Sequence, residues 1–188
     1  CPSCGFLFDR SRAEAENRSR QPFCLIINLR ITIRPSRRSG ACWVKMPNIN
    51  DSRCLLASLV IVEHEGRYLL IKESKEACRN KWFLPGGRAE GDESILQTAV
   101  RESREESGLI VELTGLLFLD QLIDSDPPNR GNRIRFVFLG KPTGGELKQS
   151  EDEHSICAGW FSEVEAGRLE LRSPFVLEII KKRRESPA

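Results

Sequence analysis

Between Ser94 and Gly108 the chain spells out a helix with both ends marked, and the load that helix carries restricts everything around it. Ser94 followed three residues later by Gln97 is a capping box, in which each side chain satisfies the other residue's backbone N–H. Gly108 stands where a left-handed residue closes a last turn. At about 100° per residue, Ile95, Leu96, Ala99, Val100 and Ser103 fall on one face, which is expected to pack on a core. Glu102, Glu105 and Glu106 fall on the adjoining arc. Glutamates at i,i+3 and i,i+4 cost an isolated helix roughly 0.2 to 0.5 kcal/mol per pair. Arg101, four residues before Glu105, offsets part of this. A divalent cation offsets more. Magnesium suits a few carboxylates, several waters and substrate phosphates, with manganese as the alternative hard cation.

Strand patterns flank this helix. CLLASLVIVEH (54–64) and RYLLIKE (67–73) are β-rich runs joined at Glu65 and Gly66, a hairpin signal. A polar loop then leads through WFLP into Gly86 and Gly87. After the helix, LIVELTGLLFLDQLI and RIRFVFLG read as strands separated by the turn-rich SDPPNRGN, and ICAGWF reads as a further short strand. The final SPFVLEIIKKRRES opens on Ser173 and Pro174 and repeats Val176, Ile179 and Ile180 at helical spacing. Strands and helices intermixed in this way predict an α/β fold, a mixed sheet covered by helices. With 188 residues and 39% hydrophobic content, one sizeable core is available and a single domain is expected. The longest apolar run, LLASLVIV, falls far short of the roughly 20 residues that span a bilayer, so no membrane partner is expected.

The first 45 residues differ in kind. Nine basic residues against three acids give them a charge of +6, which leaves −4 for residues 46 to 188 of a chain whose total is +2. Residues 1–45 are read as an extension outside the core, with the domain proper over 46–188. The leading explanation is sequence upstream of a start at Met46, the one methionine. A mitochondrial targeting segment and a zinc knuckle built on CPSCG stand beside it. The knuckle lacks a second pair, because Cys24 and Cys42 lie 18 apart. Seven cysteines without framework spacing point to a reducing, cytoplasmic setting, and Cys54 and Cys157 are expected to be buried in strands.

Reading outward from the glutamates, the chain presents Gly87, five residues, Glu93, seven residues, Arg101-Glu102, two residues, Glu105-Glu106, one residue, and Gly108-Leu109. This pattern resembles the Nudix box of the nucleoside diphosphate hydrolase superfamily. Seven identities at fixed spacing, each of background usage near about 7%, coincide by chance on the order of once in 10⁸ start positions. One position departs: Ser103 stands where the family usually carries an aliphatic residue, and it is expected to bond back to the Ala99 carbonyl.

The resemblance implies an α/β/α sandwich and attack of water on a phosphorus of a diphosphate. It implies that Glu102, Glu105 and Glu106 hold metal together with the carbonyl of Gly86, and that Glu93 and Arg101 orient them from behind, with Gly108 structural. Glu102 is one candidate base. The acidic loop of Glu151, Asp152 and Glu153 supplies the other, Glu153, and with Glu151 a substrate-reading acid. Trp82, Gly87 and Arg88 are expected at the substrate.

KEACRNKWFLPGGR (75–88) and RFVFLGKPTGGELK (135–148) look like the branch of that family that hydrolyses oxidised guanine nucleoside diphosphates such as 8-oxo-dGDP. An ADP-ribose or NADH pyrophosphatase is the alternative enzyme. A nucleotide-sensing module on an inactive scaffold is the alternative of another class, opposed by the retained glutamates. The partner expected is a small-molecule nucleotide, with a homodimer compatible. Nucleic acid is disfavoured, because the arginine-rich segment lacks the interleaved aromatics of a single-strand platform.

Overall fold

The computed structural model describes residues 24–34, 54–124 and 131–186. Its elements are β1 (Cys24–Arg34), β2 (Cys54–His64), β3 (Arg67–Glu73), β4 (Trp82–Phe83), α1 (Ile95–Ser107), β5 (Leu109–Asp124), β6 (Gly131–Gly145), β7 (Ser155–Phe161), α2 (Glu163–Ala166) and α3 (Phe175–Glu185). The seven strands make one sheet in the order β1-β5-β6-β2-β3-β4, with β7 on the other side of β3. β2 runs parallel to β6, β1 runs parallel to β5, and the remaining pairings are antiparallel, so the sheet is mixed as expected.

Alternation along the strands divides the core into two layers. Leu59, Ile61, Tyr68 and Leu70 point to the face covered by α3, where Phe83, Phe118, Phe175, Ile179 and Ile180 complete the cluster. Val60, Val62, Leu69 and Ile71 point to the opposite face, against Ala99 of α1 and Leu109, Val111, Phe138 and Ala158. Each fully buried aliphatic side chain contributes roughly 1.5 to 3 kcal/mol, so both faces of β2 and β3 are strongly committed. That double commitment explains why their sequences read as near-continuous apolar runs.

Local signals behave as their chemistry dictates. The hairpin turns at Glu65 and Gly66, both with positive φ (50° and 73°). Ser94 and Gln97 form the capping box, and Gly108 ends α1 at φ 79°. A side chain on Gly108 would also meet the Glu146 carbonyl at 2.2 Å. Two short elements were not expected. A 3-10 turn spans Glu76–Cys78 inside the polar loop, and α2 opens with a second capping box, Ser162 with Glu165, whose S-x-x-E spacing is legible in the sequence.

The structure corrects three expectations. On α1 the buried residues are Thr98, Ala99, Glu102, Ser103, Glu106 and Ser107, while Leu96 and Val100 are 45% and 39% exposed. The helix is rolled so that glutamates rather than the two aliphatics face inward, because their backbone and arginine partners lie under that arc. Cys54 is exposed and Cys157 only half-buried, so neither is a core residue. The strand expected over RIRFVFLG continues to Gly145, where it pairs with Leu109 at the end of α1.

The apolar run inside the N-terminal extension forms β1 along the outer edge of β5, with Leu29 opposite Leu119 and Arg34 opposite Asp124. The CPSCG motif, the SRRSG cluster and residues 125–130 of SDPPNRGN lie outside the described residues.

Candidate functional site

Three elements meet at the site: the turn after β4, helix α1, and the segment leading into β7. The turn is held to β2 by backbone hydrogen bonds from Val60 N to the Pro85 carbonyl and from Ser58 N to the Gly87 carbonyl, both 2.9 Å. At Gly86 the backbone takes φ 152°, and a Cβ would lie 2.2 Å from the Ser58 carbonyl oxygen, so only glycine fits without a shift. At Gly87 a Cβ would lie 2.1 Å from Oε1 of Glu102. The two glycines thus let the turn lie directly on the helix carboxylates.

Each of those carboxylates is held differently. Glu106 is buried and accepts a hydrogen bond from Gly86 N at 2.8 Å. Burial pushes its pKa up to about 8, the Gly86 N–H opposes this, and the charges of Glu102 and Glu73 add to it. Burial likewise raises Glu102, against the pull of Arg101. Arg101 binds both arms of the cluster. Its Nη1 donates to Glu102 Oε1 at 3.1 Å and Glu105 Oε2 at 2.9 Å, its Nη2 donates to the Arg88 carbonyl at 3.2 Å, and its other N–H groups fork onto Glu93.

Beneath the helix, Ser103 bonds back to the Ala99 carbonyl at 2.8 Å and Ser107 to the Ser103 carbonyl. A fully buried serine therefore satisfies its hydroxyl without breaking α1.

The structure brings Gly86, Gly87, Arg88, Glu93, Arg101, Glu102, Glu105 and Glu106 together. Among the described residues no three acids, histidines or cysteines are already gathered round a single point. Arg101 gathers Glu102 and Glu105, while the Gly86 N–H holds Glu106 separately. The donor set nevertheless fits a hard divalent cation. It consists of oxygen ligands only, and beyond burial the charge of Glu102 raises Glu106 while that of Glu105 raises Glu102, a repulsion that a cation relieves.

The loop before β7 is pinned to the end of α1. Lys148 Nζ binds the Glu105 carbonyl and, at 2.6 Å, Asp152, and the buried Ser155 hydroxyl donates to the Glu106 carbonyl at 2.5 Å. Asp152 is held down at about 2: slight burial would raise it, but Lys148 and the N–H groups of Ser155 and His154 prevail. Glu151 pairs with Arg79 at 2.8 Å. The Glu153 side chain is 87% exposed and approaches His154 at 3.5 Å. His154 also turns toward the helix, with Nδ1 3.9 Å from Glu105 Oε2. Trp82 lies half-buried in β4 with its ring 4.7 Å from that of Phe161 in an edge contact.

Two residues here escape sequence reasoning. The charge of Lys75, in the β3–β4 loop, reaches Glu102 and Glu106 and pulls both down. Glu73 ends β3 yet is buried, paired with Arg172 Nη1 at 2.5 Å and leaving Oε2 without a hydrogen-bond partner. A register shift between Lys72 and Glu73 in the pairing with β7 accompanies its burial, and nothing in RYLLIKE announces that shift.

Residues 53–181 match the family model described as NUDIX domain. The chain is 40% identical over 114 residues to an 8-oxo-dGDP phosphatase of Mus musculus, covering 59% of this chain and 33% of that protein. It is 30% identical over 151 residues to a putative nudix hydrolase 1 of Caenorhabditis elegans, covering 78% of this chain and 39% of the relative. An ADP-ribose pyrophosphatase of Methanocaldococcus jannaschii is 39% identical over 92 residues, 49% of this chain and 53% of that one. The chain thus spans between a third and about half of these relatives. Among solved structures, a NUDIX hydrolase from Nitrosomonas europaea superposes with a TM-score of 0.60 at 24% identity over 71% of this chain and 90% of that one. A MutT protein from Bacillus halodurans gives a TM-score of 0.58 at 26% identity, covering 70% and 83%. With the box residues assembled at the end of α1, the fold shared with these structures and more than half of the chain matched, the chain belongs to the NUDIX domain family.

Proposed function

We propose that this chain is a magnesium-dependent hydrolase of nucleoside diphosphate derivatives that converts oxidised guanine nucleoside diphosphates of the 8-oxo-dGDP type to monophosphates. The observation that carries it is Arg101, which ties Glu93 to both Glu102 and Glu105 beside a Glu106 anchored on Gly86. A solvated helix face has no use for an arginine aimed inward at three acids. In this reading Glu102, Glu105, Glu106 and the Gly86 carbonyl hold the metal. Arg101 and Glu93 keep the carboxylates from drifting apart by mutual repulsion. Magnesium, when bound, neutralises charge on the diphosphate and lowers the pKa of water. Glu102 or Glu153 takes the proton of the attacking water, Glu151 reads the substrate, and Arg88 with Gly87 flanks the diphosphate. The exposed part of Trp82 meets the base. The free cysteines Cys54, Cys78 and Cys157 fit a reducing, cytoplasmic setting.

Choice of 8-oxo-dGDP rests on the 40% identity to phosphatases that bear that name. ADP-ribose is the second reading, supported by the archaeal relative at 39%. The test is magnesium-dependent phosphate or monophosphate release from a panel of 8-oxo-dGDP, dGDP, ADP-ribose and NADH. Selective turnover of 8-oxo-dGDP is expected, and a preference for ADP-ribose or NADH would leave the metal chemistry standing while replacing the substrate.

A further inference from the structure

Glu73 is 2% exposed, and a carboxylate that deep normally has all its lone pairs engaged. Here one oxygen is paired with Arg172 and the other has no partner among the described residues. Cys78 lies close enough to interact with Glu73 by hydrogen bonding, its thiol raised by burial and then by the Glu73 charge, but a thiol is a weak donor and leaves Oε2 without a partner of good geometry.

The partner that is present has an informative shape. The Arg172 guanidinium carbon sits 4.8 Å from the centroid of the Phe83 ring while Nη1 donates to Glu73. A flat plate of N–H donors therefore lies on an aromatic ring with its edge on a carboxylate. Arg172 is also the accessible member of the pair, its side chain 43% exposed. The Trp82 backbone brackets the seat, taking a hydrogen bond from Arg172 N and giving one to the Glu170 carbonyl, both 2.9 Å. Glu73 lies close enough to the helix carboxylates for its charge to act on Glu106.

We propose that this is the seat of the substrate's base, and that Glu73 is the residue that selects guanine. The N1–H and N2–H₂ edge of guanine is itself a guanidine-type plate, with the donor pattern that Arg172 supplies in the free protein. On binding, the Arg172 side chain yields its place over Phe83, the base stacks there, and both oxygens of Glu73 accept N–H donors. Adenine presents a lone pair at N1 to the same carboxylate and is rejected by repulsion and by an unmatched acceptor. This rests on the nucleotide-hydrolase reading and specifies how that site discriminates.

The experiment measures kcat and KM for 8-oxo-dGDP, dGDP and dADP with the wild-type chain and with Glu73→Gln, whose carboxamide accepts and donates and so tolerates either purine. The wild type is expected to prefer both guanine-type substrates. In Glu73→Gln their KM rises about 10-fold or more while kcat changes less, and the guanine-to-adenine ratio narrows by a similar factor. An unchanged ratio in a folded, active variant overturns the Glu73 assignment alone. Failure of the wild type to turn over any of the three overturns the parent reading with it. Should Glu73→Gln not fold, the wild type is compared on dGDP and its N1-methyl derivative, which lacks the donor: a KM penalty of about 10-fold supports the assignment, and equal KM removes it.

Discussion

Arg101 and Glu93 meet as a double fork, Nε to Oε2 at 3.0 Å and Nη2 to Oε1 at 2.7 Å, and the same guanidinium reaches Glu102 and Glu105 with its remaining arm. Glu93 is held at about 2, first by these hydrogen bonds from Arg101. Its folded pKa lies below the ordinary 4.5, so its contribution to stability is complete above that value and is lost as pH falls from about 4.5 toward about 2. Thermal melts between pH 6 and 3 should show the wild type losing more melting temperature than Glu93→Gln. Parallel curves would mean that the fork adds nothing to stability.

Arg101→Lys tests the fork itself. A lysine carries the charge but cannot bridge Glu93, the Arg88 carbonyl and two further carboxylates at once. Turnover should fall about 10- to 100-fold and stability by about 1 to 3 kcal/mol, read by kinetics and urea melts.

Glu106→Gln removes a buried, repelled carboxylate and keeps its shape. Turnover should drop on the order of 10³-fold or more with melting temperature unchanged or slightly raised, since the charge is costly where it lies. Near-normal turnover would exclude Glu106 from the metal site.

The adjacent glycines should fail in different ways. Gly86→Ala puts a Cβ against backbone at a φ of 152° and should destabilise the fold by about 1 to 3 kcal/mol. Gly87→Ala meets only the end of the Glu102 side chain, which can move. That variant should melt normally and lose activity, because Glu102 leaves its place beside Arg101.

A chain beginning at Met46 should melt cooperatively and retain its turnover, as the sheet from β2 to β7, α1 and α3 all follow that residue. Its β5 edge, paired with β1 in the longer chain, becomes available to other strands, so faster aggregation at high concentration is expected. Large loss of turnover would assign residues 1–45 to the working domain.

Short-range signals were legible because their physics is local. A capping box, a left-handed glycine, an Glu65-Gly66 turn and period-two alternation depend on neighbours within a few residues, so the sequence by itself determined the ends of α1, the β2–β3 hairpin, the mixed α/β sheet and the spacing of the box. Ser103 bonding to Ala99 is of the same kind. The roll of α1 about its axis was decided elsewhere. Leu96 and Val100 read as core, but the hydrogen bond that Gly86 offers Glu106 and the reach of Arg101 to Glu93 turn the acidic arc inward. Both link segments whose approach only the packed sheet establishes. Glu73 makes the point most directly: in sequence it is a charge at the end of a strand, and a register shift against β7 together with Arg172, 99 residues away, accompanies its burial. Burial and electrostatic partnership over such separations are properties of the assembled layers, which is why the carboxylates of the box could be named from the chain while the burial of Glu73 beside them could not.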